Sequence, residues 1–134
     1  KQEISFEGQA AIELEYLAWE SKTEVSYQVI VVDNLVQWQD CIFEIIKELN
    51  QGQSISLIAH KFHNYLVDII IYFAKHFGEQ KVVLSGGCFQ NRLLTEKAID
   101  ALEKNGFQPY WHQRIPPNDG GIALGQIFIA SLKH

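Results

Sequence analysis

Apolar residues at 10, 11, 14, 17 and 18 recur at helical spacing and predict a helix over residues 8–20. A β-rich run, SYQVIVV (26–32), stops at Asp33-Asn34, and LVQW follows, which predicts a hairpin. Residues 39–50 read as a second helix ending before Gly52. Ser54 opens a long apolar-periodic helix through His76, closed by Gly78. KVVL (81–84) has the pattern of a short buried strand that runs into Ser85-Gly86-Gly87. A helix over 91–104, a strand over 107–112 and, after Pro116-Pro117-Asn118, a last helix from Asp119 through Leu132 complete the pattern. The alternation of the second half predicts an α/β layer fold with ligands at loops beyond the strand carboxyl ends.

Composition narrows this reading. With 134 residues, 47% hydrophobic and 20% charged, the chain is expected to be one globular domain rather than a disordered or fibrous segment. A formal charge of −5 argues against nucleic-acid binding through net charge. Its apolar runs are too short to span a bilayer, and its start has no secretory pattern, so a cytoplasmic location is expected. The chain has no Met and begins at Lys1, which reads as a processed product or an excised piece.

Two glycine-rich loops carry the candidate chemistry. In Leu84-Ser85-Gly86-Gly87-Cys88, bare backbone can approach a ligand, and the next helix offers N–H groups to an anion. Asn91 is either a ligand contact or a helix cap. In Pro116–Gln126, Asp119 is either a cap at a helix start or a metal ligand beside a phosphate, and Gly121 and Gly125 leave one helix face bare. His60 and His63, at i and i+3, form an HxxH pair without a third ligand, so packing competes with zinc binding. His76, His112 and His134 have no motif around them. Cys41 reads as a core residue, and Cys88, at a helix start, lacks a neighbouring base. Trp19, Trp38 and Trp111 read as core or interface anchors.

SGGCFQNRLL (85–94) and GFQPYWHQRIPPNDGGIALGQ (106–126) closely resemble the C-terminal end of the HypF carbamoyltransferases of nickel–iron hydrogenase maturation. SFEGQAAIELE (5–15) and IAHKFHNYL (58–66) resemble the same family, in the same order. The resemblance implies kinship with the tRNA threonylcarbamoyl-transferase family and a ribonuclease-H-like lobe of the actin-like ATPase superfamily. That lobe would be a mixed sheet with flanking helices, one lobe of a two-lobed module. It implies a protein that uses carbamoyl phosphate and ATP, through carbamoyl adenylate, to carbamoylate the C-terminal cysteine of the partner HypE. By the same resemblance, Gly86 and Gly87 form the adenosine-side loop, Asn91 contacts the nucleotide, and Asp119 completes a divalent-metal site. Cys88 stands where the family often has a small apolar residue. Residues 1–134 would then be the C-terminal lobe of a longer enzyme, inactive alone. The competing readings are a non-catalytic nucleotide- or partner-binding module and a metal-dependent hydrolase built on His60, His63 and Asp119.

Overall fold

The computed structural model describes residues 3–132. Helix α1 (Gln9–Trp19) precedes a tight hairpin of β1 (Val31–Val32) and β2 (Leu35–Val36). Asp33 and Asn34 adopt φ of 51° and 63°, the left-handed pair that a two-residue hairpin turn requires. The strand is shorter than SYQVIVV predicted, because only the two residues next to the turn find a ladder partner. Helix α2 (Trp38–Asn50) leads to α3 (Ile55–Phe77), which Ser54 caps by accepting from Leu57 N and which ends at Gly78. Strand β3 (Lys81–Leu84), α4 (Arg92–Lys104) and β4 (Gln108–Trp111) then form a βαβ unit whose strands pair in parallel. A single turn (Asp119–Gly121) opens α5 (Ile122–Ser131).

Helix α3 organises the packing. Its Val67 and Ala74 join Leu84 of β3 and Leu94, Ala98 and Leu102 of α4 in the main core. Its Ala59 meets Ala18 of α1 and Leu93 of α4, while its Tyr65 packs with Tyr27 and Cys41. Asn64 donates to the carbonyls of Thr23 and Val25, both at 2.8 Å, and so ties the extended segment after α1 to the same helix. A second polar anchor joins α2 to α3. Glu48 accepts from the Tyr27 hydroxyl and pairs with Lys61, whose ammonium lies 4.5 Å from the Tyr27 ring centroid.

The α/β class holds, with one correction. Instead of one mixed sheet, the described residues form two separate two-stranded sheets, the β1–β2 hairpin and the β3–β4 pair. The hairpin offers two residues per strand and packs through Val36 against the Tyr27 cluster, away from β3. The tryptophans also depart from a core role: Trp19, Trp38 and Trp111 are 46%, 59% and 37% exposed. Among the described residues no helix is long and apolar enough to cross a membrane.

Candidate functional site

The two glycine loops meet at the carboxyl ends of β3 and β4. Gly86 N–H donates to Pro117 O at 2.9 Å, so the loop after β3 and the loop after β4 are joined backbone to backbone. Gly86 takes φ 105° and ψ 163°, a conformation essentially closed to residues with a Cβ. Gly121 is glycine for a different reason: a Cβ there would meet Pro116 O at 3.0 Å. Gly87 opens a short 3₁₀ turn (Gly87–Gln90), and a Cβ on it would meet nothing within 4 Å. That turn borders a cavity of about 320 Å³ whose walls include Gly8, Glu15, Phe62, His63, Cys88 and Asn91.

Asn91 sits at the hinge between the turn and α4. Its Oδ1 accepts from Leu94 N at 2.8 Å, which makes it the helix cap. That leaves its Nδ2 to face His63 Nε2 at 2.8 Å. His63 Nδ1 lies 2.8 Å from Ala59 O, an atom that can only accept, so the proton is on Nδ1 and Nε2 accepts from Asn91. Burial pushes the His63 imidazole below its usual pKa, against the opposing pull of the Ala59 carbonyl and Glu15, and keeps this arrangement neutral.

The N–H groups at the start of α4 are not open to an outside anion. Glu15 of α1 accepts from Arg92 N at 2.7 Å and from Leu93 N at 3.1 Å. With Asn91 on Leu94, protein oxygens occupy the first three N–H groups, and a carboxylate already balances the helix dipole. An anion-binding helix N-terminus, expected from the sequence, is therefore corrected here. Glu15 was missed because 77 positions separate it from Arg92, and no local signal marks a cap delivered from that distance.

The HxxH pair resolves towards structure. His60 Nδ1 donates to Ala18 O at 2.9 Å and joins α3 to α1, while both nitrogens of His63 are engaged. Among the described residues, no group of three or more His, Cys, Asp and Glu side chains gathers where it could hold a metal ion. The geometry thus gives no support to a hydrolase centre on His60, His63 and Asp119. His134 lies outside the described residues. Asp119 is exposed on the single turn before α5, beside Asn118, whose side chain accepts from Gly120 N at 3.1 Å. It offers one oxygen donor group, which does not make a metal site by itself. Cys41 is buried, and burial pushes its thiol up to about 11, against the pull of Lys61; Cys88 is exposed.

The chain is similar to known proteins along most of its length. A family model described as "Carbamoyltransferase, Kae1-like Domain, second subdomain" matches residues 1–126. Carbamoyltransferase HypF of Synechocystis sp. is 44% identical over 129 residues, which cover 93% of this chain and 17% of that protein. The probable carbamoyltransferase HypF of Methanocaldococcus jannaschii is 29% identical over 136 residues, covering 98% of this chain and 18% of that protein. Full-length HypF, crystallised in a phosphate- and nucleotide-bound form, superposes with a TM-score of 0.84 at 39% identity, over 97% of this chain and 21% of that one. The chain thus spans about a fifth of the length of these relatives. The Kae1-like designation also agrees with kinship to the tRNA threonylcarbamoyl-transferase family. With the family match running across the helices, both glycine loops and the start of α5, the chain belongs to the HypF carbamoyltransferase family, as the second subdomain of its Kae1-like domain.

Proposed function

We propose that this chain is the C-terminal, ribonuclease-H-like lobe of a longer carbamoyltransferase, where it forms one wall of the carbamoyl-transfer site. The observation that carries the reading is the Gly86–Pro117 backbone bond, which holds the two glycine loops together at the open end of a parallel strand pair. Parallel sheets bind ligands at that end, and a solved full-length relative binds phosphate and nucleotide. In this reading carbamoyl phosphate and ATP yield carbamoyl adenylate. The carbamoyl group then passes to the C-terminal cysteine of a HypE partner, in the cytoplasm. Gly86 and Gly87 present bare backbone to the adenosine side, and Asn91, fixed by His63, borders the same cavity as Gly87.

A divalent metal would draw on the Asp119 carboxylate, but the described residues do not complete its coordination. Metal and nucleotide contacts are then shared with residues outside this segment, so the isolated chain is inactive. Calorimetric titration of the chain with ATP and Mg²⁺ should show no binding; a Kd of about 1 μM or tighter would contradict the shared-site reading. In the full-length protein, Asp119→Ala should abolish carbamoyl transfer and leave carbamoyl phosphate hydrolysis intact. Surviving transfer would make Asp119 a structural residue only.

A partner-binding module without chemistry is the second reading, favoured by the apolar side chains that α5 exposes. Full-length protein that retains partner binding but transfers no carbamoyl group would select it.

A further inference from the structure

Extending the parallel register of β3 and β4 by one residue, from Leu84 opposite Trp111, sets Ser85 opposite His112. Their side chains meet there, with Ser85 Oγ 3.0 Å from His112 Nε2. Both residues are exposed, unlike His60 and His63, and neither belongs to the three apolar clusters. The pair stands where the two glycine loops leave their strands, one residue before the Gly86 that bonds to Pro117. The serine thus holds an exposed imidazole at the open ends of two joined loops, outside the packed clusters and where a base could reach a bound ligand.

We propose that His112, oriented by Ser85, is the base that takes the proton of the acceptor thiol during carbamoyl transfer; this rests on the carbamoyltransferase reading above. A thiol with an ordinary pKa of about 8.5 is mostly protonated at neutral pH, and only its thiolate attacks well. In the step, sulfur bonds to the carbamoyl carbon, and the bond from that carbon to the adenylate phosphate oxygen breaks. AMP leaves with that electron pair, and the thiol proton goes to His112 Nδ1. The Ser85 hydroxyl can accept from Nε2–H or donate to Nε2, so the contact orients the ring; the tautomer protonated at Nε2, in which Ser85 Oγ accepts, is the one whose Nδ1 takes the thiol proton. Ser85 is in this sense a positioning residue.

The test uses full-length protein, carbamoyl phosphate, ATP and a synthetic peptide ending in cysteine, with adenylate formation and thiocarbamate formation measured separately. His112→Asn keeps a donor for Ser85 but removes the base. It should lower kcat for transfer by about 10²-fold or more, with KM for the peptide and adenylate formation unchanged. His112→Ala should lose as much and recover when imidazole is added, which a loss of loop geometry would not. Ser85→Ala should lose less than either. Transfer retained in His112→Asn, adenylate formation lost along with transfer, or no recovery of His112→Ala with imidazole would each overturn the proposal. If the unsubstituted protein forms adenylate but carbamoylates no thiol, the carbamoyltransferase reading fails instead.

Discussion

Helices α3 and α5 are both rich in large apolar side chains, yet they end in opposite environments. Three apolar clusters converge on α3, and its polar residues are absorbed too: His60 bonds to α1, Asn64 to the segment after α1, and Lys61 to Glu48 of α2. Helix α5 carries Ile122, Leu124, Ile127, Phe128 and Ile129 into solvent, with Phe128 63% exposed. A second apolar surface is open beside the core, a groove of about 500 Å³ lined by Ile69, Phe73, Phe77, Val82 and Phe89, among others. A helix that is apolar all round is ordinarily buried all round. The difference teaches that residues up to about 112 bury their own core, whereas α5 is written for a surface that the described residues do not supply.

Three perturbations separate these halves. The largest effect is expected at Leu102, a fully buried α4 residue of the main core. Leu102→Ala should cost about 2–5 kcal/mol in urea unfolding, and a cost under about 1 kcal/mol would mean that the α3–α4 interface is not the centre of stability.

Next comes the His63–Asn91 link. Asn91→Ala removes a cap and leaves buried His63 Nε2 without its donor, an expected cost of about 1–3 kcal/mol. The same link predicts a pH dependence. His63 has a folded pKa below its unfolded value near 6.5, so the folded state binds fewer protons. Its contribution is present above about 6.5 and is lost as pH falls below that value. Urea midpoints measured on both sides of this window should show the fall in the native chain and a flatter profile in His63→Gln; equal slopes would detach His63 from the effect.

The smallest stability change is expected on α5. Ile127→Ser with Phe128→Ser should shift unfolding by less than about 0.5 kcal/mol per site, because neither side chain is buried. The same double change should reduce self-association in sedimentation, since it removes exposed apolar area. A large loss of stability would show α5 packed on its own chain and dissolve the contrast with α3.

Much of the fold was legible because its signals are local. The 3.6-residue periodicity and the Ser54 and Gly78 signals marked α3 almost to the residue, and Asp33-Asn34 marked the hairpin turn. The loops were legible as glycine clusters after a strand and after a proline pair. Their joining through Gly86 and Pro117 was not, nor was the Ser85–His112 contact, because each links residues 27 or more positions apart that meet only once β3 and β4 have paired. The ambiguities at Asn91 and in the HxxH pair persisted for the same reason. An asparagine before a helix looks alike whether it caps or binds, and an imidazole on an apolar face looks alike whether it packs or ligates.

By itself, then, the sequence determined element types, their order, the glycine positions that backbone geometry demands, and the family, all of which rest on neighbouring residues or on motif blocks read in line. Only the tertiary structure decided that Glu15 closes the α4 N-terminus, that His63 is a neutral support for Asn91, and that Ser85 faces His112. Each of these depends on a hydrogen bond between residues 27 or more positions apart, and such bonds form only after packing has brought the elements together.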